Sequence, residues 1–128
     1  MSDIHHQIHY IELPALSVSA MKDFYSKAFG WTFMDYGPQY TAFHGAGIEG
    51  GFEESREFIA PNQPGAFVIL YSDDLEASQA AITKAGGLIC VDTYGFPGGK
   101  RFHFKDPSWN ELGAVSYTHL TLPTILLV

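Results

Sequence analysis

The residues with chemistry to offer fall in a few short stretches of the chain. Tyr10 and Glu12 lie two apart in IHYIEL, the spacing at which strand side chains point the same way. A carboxylate beside a phenol on a pocket wall could act as acid, base or hydrogen-bond acceptor. The plainer role is a structural acceptor or a residue of a subunit interface. Arg101 and His103 have the same spacing in RFHFKD, opposite Phe102 and Phe104. If the phenylalanines fill the core, Arg101 and His103 look into a pocket, where the cation could hold an anionic ligand. The reverse orientation leaves both in solvent. Glu12 and His103 are thus the candidate catalytic pair for metal-free acid–base chemistry. His44 and Glu49 flank the turn GAGIEGG and become stray metal ligands only if that hairpin folds inward. His5, His6 and His9 sit near the start of the chain, where a solvated terminus is expected, and neighbouring imidazoles alone do not fix a metal's geometry. Cys90, the single cysteine, is expected as a buried strand residue.

Positioning these groups requires a folded scaffold, and the composition supplies one. The chain has 128 residues, 46% hydrophobic and 16% charged, which suits one globular domain with its own core. A formal net charge of −7 with no basic stripe argues against nucleic acid or an anionic membrane surface as partner. One cysteine permits no internal disulfide, and no apolar run is long enough for a signal peptide or a membrane span. A cytoplasmic protein is expected.

Periodicity then orders the elements. Ile8 to Leu13 reads as a strand ended by Pro14. Ser17 or Ser19 caps a helix through Phe29, whose apolar stripe is Val18, Met21, Phe24, Tyr25 and Ala28, and Gly30 stops it. Strands follow at Trp31 to Met34, at Tyr40 to His44 and near Phe52. Residues 53–65, polar and holding two prolines, read as a linker. The pattern then returns: a strand from Phe67 to Ser72, Asp73 with Glu76 as a capping box, a helix to about Ala85, and Gly86-Gly87 to close it. Strands are predicted at Leu88 to Val91, in RFHFKD and at Glu111 to Ser116, with TYGFPGG as a loop. A shift of 57 residues places Tyr10 on Phe67, Ser17 on Asp74, Tyr25 on Ile82 and Gly30 on Gly87, so strand, cap, helix face and stop stay in phase. Each copy is βαβββ, and the fold class is α+β. One copy cannot bury both faces of its sheet with a single helix. Two copies can place their helices outside and curl their sheets around a shared cup, a natural place for a small molecule. Tyr10, Phe43, Phe52, Phe67, Phe96 and Trp109 would line or rim it, which suits a flat or largely apolar ligand.

The stretches IELPALSVSAMKDFYSKAFGW, SDDLEASQAAITKAGG and FKDPSWNELG resemble the vicinal oxygen chelate superfamily, which includes glyoxalase I, bleomycin-resistance proteins and ring-cleaving dioxygenases. The resemblance covers about residues 8–116. It implies paired βαβββ modules in a homodimer and, in the enzymes, a divalent metal held by one residue from each of four strands. Those positions fall here on Tyr10, on Gly50 or Gly51, on Phe67 and on Gly113, none of them the usual His, Glu or Gln. No metal or other cofactor is therefore expected. The superfamily's turn usually has glycine where this chain has Trp109, a strained place for a bulky residue if φ is positive there.

The expected organisation is one domain over residues 1–116, with modules at about 8–53 and 66–116. Residues 117–128 are an extension without Asp, Glu, Lys or Arg after position 116. The extension either docks on a partner subunit or is foreign sequence read through at a gene or clone boundary. The expected activity is metal-free binding of a small, apolar or aromatic molecule in the cup. The alternative is a lyase, isomerase or dioxygenase with an altered metal site or metal-free acid–base chemistry.

Overall fold

A computed structural model describes residues 4–54 and 66–117. Most of the expected linker and all but the first residue of the extension lie outside the described residues. The first module runs β1 (Tyr10–Ala15), α1 (Val18–Phe29), β2 (Thr32–Asp35), β3 (Tyr40–His44) and β4 (Glu49–Glu54). The second runs β5 (Val68–Tyr71), α2 (Leu75–Lys84), β6 (Leu88–Phe96), β7 (Gly99–Lys105) and β8 (Glu111–Tyr117). Each forms a four-stranded sheet, ordered β1-β4-β3-β2 and β5-β8-β7-β6, with the first pair in each parallel and the rest antiparallel. The architecture is α+β, built from paired βαβββ modules.

Local chemistry explains the boundaries, including those that differ from expectation. β1 continues through Pro14 to Ala15 because it is an edge strand, where a missing N–H costs no ladder bond on the open side. Ser17 caps α1 by accepting the Ala20 N–H, and Gly30 ends it at φ 76° with its N–H on the Ser26 carbonyl. In α2 the cap is Asp74 rather than Asp73, its carboxylate accepting the Ala77 N–H, in phase with Ser17. Gly86 rather than Gly87 takes the left-handed position, at φ 102°. Gly87 serves close approach instead: a Cβ there would lie 2.7 Å from side-chain carbons of both Ile82 and Phe24. TYGFPGG is not a loop. Its Thr93–Phe96 stretch, rich in β-forming side chains, extends β6 to a tight turn at Pro97-Gly98. The ladder with β7 shifts register between Ile89 and Val91, and Cys90, at that irregularity, is exposed rather than buried. Partial burial, with the Glu111 carboxylate nearby, pushes its thiol up, away from the reactive thiolate.

One core spans both modules. Each sheet turns one face to the helices, and Phe24, Tyr25, Phe52, Ile82, Phe102, Phe104 and Leu112 are almost fully buried there. Burial of each of these side chains supplies about 2–3 kcal/mol of transfer free energy. Phe24 reaches from α1 to Phe104 on β7, with ring centroids 6.2 Å apart.

A polar clasp fixes the second module's turn to the first. Buried Asp106 accepts the N–H groups of Ser108 (2.8 Å) and Asn110 (3.0 Å) on Oδ1, and the Tyr25 hydroxyl (2.9 Å) and Asn110 Nδ2 (3.0 Å) on Oδ2. Ser108 Oγ accepts the Leu16 N–H at 2.8 Å, and Asn110 Nδ2 also donates to the Pro14 carbonyl at 2.9 Å. Burial pushes the Asp106 carboxyl above its usual range, and the hydrogen bonds it accepts oppose that shift. Trp109, in the same turn, has φ 68°, a left-handed conformation that costs a non-glycine residue about 1–2 kcal/mol and is held by the clasp on either side.

Candidate functional site

Strand alternation assigns the remaining side chains to the sheet faces that the helices leave uncovered. On the second sheet, Phe102 and Phe104 go to the core, so Arg101, His103 and Lys105 take the helix-free face. Phe67, just before β5, lies on this face over Gly113, where a Cβ would stand 3.1 Å from its ring. His103 is opposite Gly113 across the β7–β8 ladder, its ring centroid 4.7 Å from that of Phe67. Arg101 is opposite Tyr94 and donates from Nε to the Tyr94 hydroxyl. Tyr94 Oη is 2.9 Å from His103 Nε2, and His103 Nδ1 is 2.8 Å from Glu111 Oε2. The Glu111 carboxylate can only accept, so Nδ1 donates to it, and a neutral ring then leaves Nε2 to accept the Tyr94 hydroxyl proton. The imidazole proton then sits on Nδ1 and is donated to Glu111, an order assigned from the network. Lys105 Nζ also reaches Glu111, at 4.0 Å. The Arg101 guanidinium lies 5.6 Å from the ring centroids of Phe67 and Tyr94 and 5.9 Å from that of Phe96.

The first sheet carries the equivalent arrangement with different chemistry. Tyr10 and Tyr40 share the space over Gly51, where a Cβ would lie 2.7 Å from Tyr40 Cζ and 2.8 Å from Tyr10 Oη. Their hydroxyls are hydrogen-bonded at 2.6 Å. Partial burial pushes the Tyr40 phenol up, and the hydrogen bonds with Tyr10 and Glu12 add to the shift. Tyr40 thus holds its proton within a phenol–phenol–carboxylate group. Gly50 faces the other way, against Phe43 and the Ile11 carbonyl.

The structure therefore gathers Phe67, Phe96, Arg101 and His103 on one sheet and Tyr10 and Glu12 on the other. Glu12 lies on the first sheet and His103 on the second. Tyr10 and Phe67 remain 41% and 37% exposed, so each face is open. Phe43 and Phe52 are core rather than lining: their strand positions face α1, where they stack against Trp31 and Tyr25. Trp109 sits half-exposed on the clasp turn, away from both groups. His44 and Glu49 form a solvated contact at 3.6 Å across their hairpin, and among the described residues no group of three or more His, Cys, Asp or Glu could hold a metal. A depression of about 560 Å³ along α2, lined by Glu76, Gln79, Ala80, Thr83 and Lys84, is open to solvent and gathers none of this chemistry. Tyr40, Tyr94 and Glu111 were not anticipated. Glu111 was within reach, since it stands two residues before Gly113 on the same strand face; Tyr94 was concealed by reading its stretch as a loop.

The profile of the Glyoxalase/Bleomycin resistance protein/Dioxygenase superfamily matches residues 7–113. The chain belongs to that superfamily. A comparison with curated proteins finds no significant sequence match. Among solved structures, a glyoxalase/bleomycin resistance protein/dioxygenase family enzyme from Burkholderia phytofirmans PsJN superposes with TM-score 0.73 at 16% identity, over 85% of this chain and 97% of that one. A glyoxalase-related enzyme from Fulvimarina pelagi gives 0.72 at 18%, over 87% and 88%. The fosfomycin resistance protein FosX from Mesorhizobium loti gives 0.72 at 12%, over 92% and 97%. At these identities the likeness establishes the fold. Among the described residues no helix is long and apolar enough to cross a membrane.

The positions that the resemblance assigns to metal ligands are Tyr10, Gly50 or Gly51, Phe67 and Gly113, and of the two central glycines it is Gly51 that shares a face with Tyr10. Two glycines and a phenyl ring offer no donor, and the one phenol is engaged by Tyr40. The donor set does not fit the superfamily's divalent metal.

Proposed function

We propose that this protein binds a small, largely apolar or aromatic molecule on the helix-free sheet faces without the superfamily's metal centre. One observation carries the reading: aromatic side chains fill the space over both glycines, the Phe67 ring over Gly113 and the Tyr40 phenol with the Tyr10 hydroxyl over Gly51. Ring surface thus occupies the space that metal-binding side chains would need, and ring surface is what an apolar ligand packs against. A second copy of the chain completes the cup. The first sheet's face carries Glu12, Glu49 and Glu53, and the second's carries Arg101 and Lys105 beside a single carboxylate, Glu111, so the first face is the more acidic of the two. The single cysteine suits a cytoplasmic setting.

A second reading is metal-free acid–base catalysis, in a lyase or isomerase. It is favoured by the hydrogen-bonded His103–Glu111 pair and by the Tyr10–Tyr40–Glu12 group, both able to hold and pass protons.

The test is metal analysis of purified protein combined with binding of the neutral fluorophore N-phenyl-1-naphthylamine. Binding that persists after exhaustive chelation supports the proposal. A stoichiometric divalent ion, lost on chelation together with binding, overturns it.

A further inference from the structure

The second sheet's face contains a cation whose charge nothing nearby balances. Glu111 is met by His103 and by Lys105, while Arg101 has no carboxylate within ion-pair distance among the described residues. Its one hydrogen bond there, from Nε to Tyr94, uses one of five guanidinium donors and goes to a neutral hydroxyl. Among the described residues Lys84 and Lys100 also lack a carboxylate partner, but both are exposed to solvent, whereas Arg101 is partly buried. Its surroundings are specific as well. Phe67, Tyr94 and Phe96 stand at 5.6–5.9 Å, a setting that suits a weakly hydrated guanidinium and displaces the water that would screen it. Tyr94 is itself held by His103, and His103 by Glu111, so the fork is buttressed before any ligand arrives.

We propose that the ligand is an aromatic or apolar monoanion, its carboxylate or sulfonate received by Arg101 and its flat body resting on Phe67 and Phe96. This rests on the reading of the helix-free face as the binding surface. A planar fork is suited to a two-oxygen anion, and the adjoining rings take the rest of the molecule. Tyr94, His103 and Glu111 are positioning residues that act through Arg101.

The experiment compares two fluorophores with one skeleton: 1-anilinonaphthalene-8-sulfonate and N-phenyl-1-naphthylamine, which lacks the sulfonate. The wild type is expected to bind the sulfonate at least about tenfold more tightly. Arg101→Gln should abolish that preference while leaving the neutral dye within about twofold, and Arg101→Lys should restore part of it as a point charge. Phe67→Ala should weaken both dyes, and Lys84→Gln on α2 should change neither. Circular dichroism confirms that each variant is folded. If the neutral dye binds and the sulfonate binds no better, or if Arg101→Gln leaves the preference intact, the anion inference falls and the apolar surface stands. If Arg101→Gln instead alters the oligomeric state without touching dye discrimination, Arg101 is an interface residue and the inference likewise falls. If neither dye binds, the binding-surface reading fails first and takes this inference with it.

Discussion

Tyr25→Phe isolates the clasp between the modules. The substitution deletes one oxygen and leaves the ring where it is, stacked on Trp31 at 4.7 Å and on Phe52 at 5.0 Å and edge-on to Phe24 at 4.8 Å. What is lost is the 2.9 Å hydrogen bond from a fully buried hydroxyl to the Asp106 carboxyl. A hydrogen bond to a charged group contributes about 1.5–3 kcal/mol. Asp106 keeps its three donors from Ser108 and Asn110, so it is not orphaned and the cost falls near the middle, about 2 kcal/mol. For a chain of this length that corresponds to a fall of about 8 °C in Tm, or about 1 M in the urea midpoint. The urea slope should not change, since no additional surface is exposed on unfolding. Equilibrium urea titration followed by circular dichroism and by tryptophan fluorescence provides the measurement. A midpoint shift below about 0.3 M would show that the hydroxyl contributes little and that the turn holds the modules together unaided.

Two further perturbations address the site and the clasp separately. Gly51→Ala drives a methyl group into Tyr40 and Tyr10 and breaks their hydroxyl pair, costing about 1 kcal/mol net. Gly113→Ala meets Phe67 only at 3.1 Å and should be neutral or slightly stabilising; thermal melts showing the opposite order would contradict the ring-over-glycine geometry. Because burial raises the Asp106 carboxyl, the folded chain holds that proton more tightly than the unfolded chain, whose carboxyl titrates near the ordinary value of about 3.9. This group's contribution is complete below that value and is lost as pH climbs through the folded pKa. The stability of the wild type relative to Asp106→Asn should therefore decline from pH 3 upward, and a gap that grows in the wild type's favour over that range would reverse the sign.

The scaffold was legible because packing imposes periodicity. Val18, Met21, Phe24 and Tyr25 recur at helical spacing, and Tyr40, Ala42 and His44 alternate against Thr41 and Phe43. The duplication doubled each of these signals. The site was half legible. Alternation correctly paired Arg101 with His103 and Tyr10 with Glu12, but it does not say which face of a strand meets the helices. Phe43 and Phe52 were placed on the cup for that reason, although they fill the core. Contacts across strands, such as Tyr94 with Arg101 or Tyr40 with Tyr10, depend on register, and register depends on hairpin geometry and bulges that composition does not reveal. At the α2 cap two adjacent residues had equal chemistry: the spacing to Glu76 pointed to Asp73, while the repeat register, which aligns Ser17 with Asp74, pointed to the residue that caps the helix.

The two modules show where the duplicated sequence had freedom to diverge. Ladder register makes Phe43 equivalent to Phe104, Ala42 to His103, Tyr40 to Arg101 and Glu49 to Glu111. On the helix side the equivalents remain uncharged, Thr41 standing where its counterpart is Phe102, because a charged group there would be buried in the shared core without a partner. On the open side a phenol stands where its counterpart is a guanidinium, and a methyl group stands where its counterpart is an imidazole. Two features did not diverge in kind: the glutamate shared by Glu49 and Glu111, and the glycine covered by aromatic side chains, Gly51 by Tyr40 and Tyr10 and Gly113 by Phe67. Phe67 covers the strand backbone that Gly113 leaves bare, and Tyr40 with the Tyr10 hydroxyl does the same over Gly51. Introducing a metal ligand at Gly51 or Gly113 would therefore require the side chain above it to move or shrink as well. The polar residues around the rings face no such coupling, and selectivity can be tuned there one residue at a time.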